Sequence, residues 1–295
     1  MKDIRVLLTA AGGLGVTGVI DALLSNGERN IDIISTDIRE STLVGQLTKY
    51  RKVPPGNAEG YIESILNLIK DEAIDVIIPL ATNELLPFSY NRNLFENIGV
   101  KVCISSPTAI ENALDKGKCY QILKERNLHP PDFFLVKNIE EFKAAVASLG
   151  YPENPVCFKP SRHMHGGGRG FRILNANTKP EDILFQKRPE SPYISYDEAI
   201  RIMERMKDFP ELLVMEYLPG EEYSVYALCE DGKALYIVPN LRQRLMLMYS
   251  FEAEVRNNQE IVKLVKSIID VFGFDYNVNL QIKYSSSGVP KVVEI

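Results

Sequence analysis

Four cysteines, Cys103, Cys119, Cys157 and Cys229, stand far apart with no C-x-x-C pair among them. That scarcity excludes a disulfide framework and predicts buried thiols in a reduced, cytoplasmic setting. No uninterrupted apolar stretch approaches membrane-spanning length, so no membrane partner is expected. The first residues place Asp3 ahead of a short apolar run and Gly12-Gly13 behind it, and so lack the apolar core of a signal peptide. Positive charge is not in excess: 34 Lys and Arg against 39 Asp and Glu give −5. A general nucleic-acid or anionic-membrane surface is thereby excluded, and any basic site must be local. Such a site is the cluster Lys159, Arg162, Arg169 and Arg172. Histidines number three, and His163 with His165 lacks a third ligand nearby, so the pair reads as loop polarity or a substrate contact rather than a metal site. Internal repeats and low-complexity tracts are also missing.

What is present is 295 residues with 45% hydrophobic and 25% charged content, enough for two or three compact domains with their own cores. The first third alternates strand and helix signals: strand Ile4 to Thr9, helix Val19 to Ser25, strand Ile31 to Asp37, helix Tyr61 to Asp71, strand Val76 to Leu80, helix Leu85 to Glu96 and strand Val100 to Ile104. That order predicts an α/β domain with a Rossmann-like parallel sheet. Around Ser106-Pro107 the rhythm changes. A helix over Thr108 to Asn127 runs into Pro130-Pro131, which marks a boundary. Beyond it the pattern predicts an α+β half. Its strands are Phe133 to Val136, Val156 to Lys159, Phe171 to Leu174, Leu212 to Glu216, Ser224 to Cys229, Ala234 to Pro239, Asn277 to Tyr284 and Lys291 to Ile295. Its helices are Ile139 to Leu149, Tyr196 to Lys207 and Asn258 to Phe272.

Two nucleotide sites compete. Gly13-Leu14-Gly15-Val16-Thr17-Gly18 matches G-x-G-x-x-G between a strand and a helix, and Asp37 ends the next strand, the context a dinucleotide site requires. Against an NAD-dependent oxidoreductase, the alternating sheet stops near residue 105, where a second βαβαβ half should follow. Thr82-Asn83-Glu84 follows another strand of this sheet, where ligand contact and helix capping are both open.

The second site is spread over the rest of the chain. Lys159 closes an apolar run and precedes Gly166-Gly167-Gly168-Arg169-Gly170. A glycine-rich link between strands lets backbone N–H groups approach an anion, with the lysine as a point charge. By itself it also fits a soluble turn. Met215-Glu216-Tyr217-Leu218 ends a strand and Glu222 follows Pro219-Gly220, so strand-exit backbone groups could read a purine edge and the carboxylate could accept from ribose hydroxyls. By itself it also fits a hairpin turn. In the last hairpin a four-residue Ser285-Ser286-Ser287-Gly288 loop predicts residue 284 opposite 289, Asn279 opposite Glu294 and Gln281 opposite Val292. Asn279, Gln281 and Glu294 would then share one polar face, suited to a hard cation bound to phosphates. Arg242 and Arg244 alternate on a strand, free to meet an acidic substrate or solvent.

In this order, Asp115-Lys116, Phe158-Lys159 with Gly166 to Gly170, Met215 to Ser224, and Asn279-Leu280-Gln281 with Val293-Glu294-Ile295 resemble the ATP-grasp superfamily. The carbamoyl-phosphate-synthase large-subunit-like and biotin-carboxylase-like members look nearest. The resemblance implies a pre-ATP-grasp domain over 1–110 and an ATP-grasp domain over 111–295, with a lid at about 130–212. It implies ATP and Mg²⁺, or Mn²⁺, as cofactors: Lys116 and Lys159 on the phosphates, Gly166, Gly167, Gly168, Arg169 and Gly170 closing over them, and Met215, Glu216, Tyr217 and Leu218 around adenine. Glu222 would meet the ribose, Gln281 and Glu294 the metal, and Arg244 would join the lysines in catalysis. The implied activity is that of a ligase joining a carboxylate or bicarbonate to a nucleophilic acceptor through an acyl phosphate. Homo-oligomers or further domains are implied partners. A nucleotide-binding module without turnover is the alternative. The family usually continues from Glu-Ile into Asn-Pro-Arg, whereas this sequence stops at Ile295, so an excised piece of a longer protein is expected.

Overall fold

The computed structural model describes residues 3–40, 42–162, 170–176, 192–246 and 249–295. The chain forms two compact units, Met1–Glu111 with Gly273–Asn277, and Asn112–Phe272 with Val278–Ile295.

Unit 1 is built on strands β1 (Ile4–Leu8), β2 (Ile31–Asp37), β3 (Lys49–Lys52), β4 (Val76–Ile78) and β5 (Lys101–Val102). They lie in the order β3-β2-β1-β4-β5, all parallel. Helices α1 (Val16–Leu24), α2 (Tyr61–Glu72), α3 (Thr82–Tyr90) and α4 (Arg92–Glu96) connect them. Val6, Leu8, Val16, Ile20 and Ile33 pack into its core, which is why β1 and β2 read as near-continuous apolar runs. Strand β3 escapes the pattern because Lys49-Tyr50-Arg51-Lys52 is a polar sheet edge. The single helix expected over Leu85 to Glu96 is two, meeting at Asn91, whose backbone and side-chain N–H groups both donate to the Pro87 carbonyl, at 3.3 and 2.8 Å.

Helix α5 (Pro107–Leu114) precedes α6 (Lys116–Glu125). One helix was expected here; Asp115 divides it, extended at φ −86° and ψ 99°, with its carboxylate accepting the Lys118 N–H as an N-cap. Unit 2 then carries two sheets. The first holds β6 (Phe133–Val136), β7 (Val156–Pro160), β8 (Arg172–Leu174), β9 (Tyr193–Ile194) and β10 (Leu212–Glu216), in the order β6-β10-β7-β8-β9. Helices α7 (Ile139–Ser148) and α8 (Tyr196–Met203) cover it through Phe142, Val146 and Ala199 packed on Val156, Phe158 and Val214.

The second sheet holds β11 (Glu222–Glu230), β12 (Lys233–Met246), β13 (Tyr249–Val255), β14 (Tyr276–Tyr284) and β15 (Pro290–Glu294), in the order β13-β12-β11-β14-β15. Helix α9 (Gln259–Phe272) buries Ile261, Leu264, Val265, Ile268, Ile269 and Phe272 at helical spacing. β12 runs past the expected Pro239 end, and β13 was unforeseen. Register shifts around Arg244 and the charged run Arg242-Gln243-Arg244 hide the strand period there.

Candidate functional site

The break at Asp115 starts α6 where the chain leaves β7. The Lys116 N–H donates to the Ser161 carbonyl at 2.9 Å, and the Arg162 Nε meets the Asp115 carboxylate at 2.9 Å. Gly117 permits this approach, since a Cβ there would stand 2.8 Å from Leu135 Cδ2 and 2.9 Å from Ser161 Oγ. Lys116 on α6 and Lys159 on β7 are both buried. Lys116 Nζ meets Glu294 Oε1 at 3.2 Å, and Lys159 Nζ donates to the Val293 carbonyl at 3.0 Å. Burial pushes the Lys159 ammonium down to about 8; Glu294 opposes that shift and Lys116 adds to it. Tyr120, also on α6, donates its hydroxyl to the same Val293 oxygen at 2.8 Å and turns its ring to Lys159 Nζ at 5.5 Å.

The terminal hairpin corrects the expected register. Its loop has five residues, Ser285–Val289, closed by the Ser285 N–H on the Val289 carbonyl at 2.9 Å with Gly288 at φ 76°. Tyr284 therefore faces Pro290 and Ile282 faces Val292, both of the latter fully buried. A register shift then leaves Val293 as an extra residue and sets Gln281 opposite Glu294. The expected pairing of Asn279 with Glu294 is not found; Gln281 takes that place across the ladder.

Met215, at the end of β10, is buried with its sulfur 3.7 Å from the Tyr120 hydroxyl. Glu216 accepts the Asp132 N–H at 3.0 Å and meets Lys291 at 3.6 Å. Burial pushes the Tyr217 phenol up to about 12, and its ring faces Lys283 Nζ at 5.5 Å. Leu218 is buried. The Gly220 N–H then donates to the Tyr284 carbonyl at 3.0 Å, tying this strand exit to β14. Glu222 lies between the buried Arg242, which meets one carboxylate oxygen, and Lys283, 3.6 Å from the other.

Lys116, Lys159, Gln281 and Glu294 are thus brought together, and Tyr120 links Met215 to them. Glu222 belongs to a neighbouring ion cluster that reaches Tyr217 through Lys283. Gly170 turns at φ 88° against Pro160, while Gly166, Gly167, Gly168 and Arg169, with His163 and His165, lie outside the described residues. Arg244 stands exposed over the Phe251 ring at 4.5 Å; the register shifts beside it separate its fate from that of buried Arg242. Tyr120 and the Val293 carbonyl were not picked out by motif. Tyr120 follows Lys116 by four residues, the spacing of side chains on one helix face, and a backbone oxygen leaves no trace in residue type.

Unit 1 binds its own candidate carboxylates. Asp37 is buried, accepts the Gly12 N–H at 2.7 Å and meets Arg39 at 3.3 Å, so the group a ribose would need is held internally. Glu84 accepts from the Thr9 and Tyr61 hydroxyls at 2.5 and 2.8 Å and from the Ala81 N–H, which caps α3. Among the described residues no group of three or more His, Cys, Asp or Glu is placed to hold a metal by itself.

Residues 8–103 match the family described as PylC-like, N-terminal domain. Residues 208–295 match the family described as ATP-grasp in the biosynthetic pathway with Ter operon. The fold is that of an ATP-grasp protein. The chain is 24% identical over 247 residues to the carbamoyl phosphate synthase large chain of Clostridium acetobutylicum, a match covering 80% of this chain and 21% of that one. It therefore spans about a fifth of that relative's length. Among solved structures it resembles N5-carboxyaminoimidazole ribonucleotide synthetase, determined as an ADP complex, with a TM-score of 0.67 at 15% identity over 99% of this chain and 69% of that one. It also resembles the L-amino acid ligase from Bacillus licheniformis, with a TM-score of 0.64 at 14% identity over 100% and 66% of the two chains. At those identities the likeness is one of fold. Lys116 and Lys159 fall between the two family matches, whereas Glu222, Gln281 and Glu294 fall inside the ATP-grasp match. No described helix is long and apolar enough to cross a membrane.

Proposed function

We propose that the chain binds Mg²⁺-ATP and belongs to a ligase that activates a small carboxylate or bicarbonate as an acyl phosphate for attack by an amine or thiol. The observation that carries this reading is that buried Lys116 and Lys159 meet the β15 segment Val293-Glu294, whose half-buried Glu294 pairs with Gln281 across the ladder. Lys116 and Lys159 neutralise the phosphates, and the low local dielectric strengthens each contact. Met215 to Leu218 border the base, and Glu222, held by Arg242 and Lys283, accepts from the ribose. Gly166 to Gly170 complete the grip on the phosphates within a lid at about 130–212.

The donor set fits a hard cation. Magnesium takes one or two protein oxygens and draws its other ligands from phosphate and water, and Gln281 and Glu294, paired across β14 and β15, carry oxygens of that kind. Bound there, it would neutralise charge on the phosphoryl group in transfer. Arg244 has no part in this reading, because its guanidinium lies on the exposed Phe251 ring.

Calorimetric titration of the protein with Mg²⁺-ATP and, separately, with NADH tests the proposal. Saturable ATP binding that weakens about tenfold or more in Lys159→Ala is expected, the effect of losing a charge-assisted contact. Tight NADH binding without an ATP response would overturn it.

A further inference from the structure

The Val293 carbonyl takes two donors from two different elements, the Lys159 ammonium of β7 at 3.0 Å and the Tyr120 hydroxyl of α6 at 2.8 Å. It is available to them because Val293 is the extra residue between the Gln281–Glu294 and Ile282–Val292 pairs. The Tyr120 ring lies against the same ammonium at 5.5 Å and is packed edge-on by Phe133 at 5.3 Å and 79°. Tyr120 is buried, and burial raises its phenol well above the ordinary value, so it stays a neutral donor.

The geometry points to Tyr120 as a positioning residue: it keeps a donor on the Val293 carbonyl so that Lys159 is free to leave that oxygen for a nucleotide phosphate. This rests on the reading of the site as a phosphate site. A buried carbonyl abandoned by its sole donor is penalised by its full desolvation. With Tyr120 in place the oxygen keeps one partner when Lys159 moves, and Glu294, the next residue, keeps its facing toward Gln281. Without the hydroxyl, Lys159 is held to Val293 and the phosphate must compete for it.

Val293-Glu294 is the one Val-Glu pair in the sequence. Protein labelled with carbonyl-13C valine and 15N glutamate therefore gives a single backbone correlation that reports this carbonyl. Tyr120→Phe and Lys159→Met should each shift the Val293 carbonyl resonance upfield, as loss of a hydrogen-bond donor does. Adding Mg²⁺-ATP to the parent should do the same as Lys159 departs. Phe133→Leu disturbs the packing around Tyr120 but keeps its hydroxyl, and should leave the resonance in place. Calorimetry should show Tyr120→Phe binding Mg²⁺-ATP roughly fivefold more weakly, within the worth of one hydrogen bond. A Val293 resonance unmoved by Tyr120→Phe, or an unchanged nucleotide affinity in that variant, overturns the proposal. Lys159→Met reads the same oxygen from its other donor, so a resonance it does not move overturns the proposal even where the Phe variant fails to fold. A carbonyl that answers both variants in a parent that binds no ATP would sink the nucleotide reading instead.

Discussion

An ammonium buried beside a second lysine is an unfavourable arrangement in unit 2. Lys159 keeps its place through the Val293 carbonyl, the Tyr120 ring and the nearby Glu294, yet burial still lowers it from 10.5 to about 8. The folded value lies below the unfolded one, so between about pH 8 and the ordinary lysine range the unfolded chain binds more protons. Stability therefore rises with pH across that window, and below it the whole penalty is present, on the order of 3 kcal/mol. Lys159→Met should accordingly raise the unfolding midpoint at pH 7 by a few degrees while weakening nucleotide binding about tenfold or more. The gain in stability with pH between about 8 and 10 should flatten in the variant; thermal melts across that range check both. A variant less stable than its parent at pH 7 would mean that the ammonium is better compensated than its burial implies. The lysine itself was legible, because a strand-end lysine ahead of a glycine run has a sequence signature. Its partner was not, since the Val293 oxygen is backbone and any residue could carry it.

Among the elements, the terminal hairpin and the exit of β10 meet at Gly220. A Cβ at that position would stand 2.7 Å from the Tyr284 carbonyl oxygen and 2.7 Å from its Cβ, atoms of β14 that cannot swing aside. Gly220→Ala should therefore lengthen the 3.0 Å bond from the Gly220 N–H to Tyr284 and destabilise the fold by about 1–3 kcal/mol, the range of overpacking. Mg²⁺-ATP affinity should fall with it, because Met215 to Leu218 move relative to Glu222. Urea unfolding and calorimetry measure the two effects; an alanine variant with parental stability would show that the strands do not meet this closely. The Pro219-Gly220 turn was visible in sequence, but the reason for the glycine was not, as it lies more than sixty residues away at Tyr284. The same holds for β15. Alternation correctly placed Gln281 and Glu294 on polar positions, while the five-residue loop and the extra Val293 that set them face to face depend on the pairing of Ile282 with Val292.

At the scale of the molecule, each compact unit buries its own ionisable groups, with different pH signatures. In unit 1, burial raises the Glu84 carboxyl above 4.5 despite the Thr9 and Tyr61 hydroxyls and the Ala81 N–H, with Asp37 adding to the rise. The folded unit then holds this proton where the unfolded chain has lost it, so Glu84's contribution to stability declines as pH rises through that range. The stability difference between Glu84→Gln and the parent should therefore shift toward the variant as pH rises above the ordinary carboxyl value of 4.5; urea unfolding at several pH values gives the difference. A difference independent of pH would show that Glu84 titrates normally. What the amino-acid sequence determined by itself was most of the strands and helices, the parallel sheet of unit 1, and the lysines, glycines and carboxylates proposed to carry the chemistry. All of these rest on local periodicity and residue type. Tertiary structure alone decided that Asp115 would cap a new helix at Lys116, that Arg242 would be buried while Arg244 faced outward, and that Tyr120 and Lys159 would share one carbonyl of β15. Those outcomes depend on the registers and close approaches of segments far apart in the chain, and packing sets them where no local pattern can.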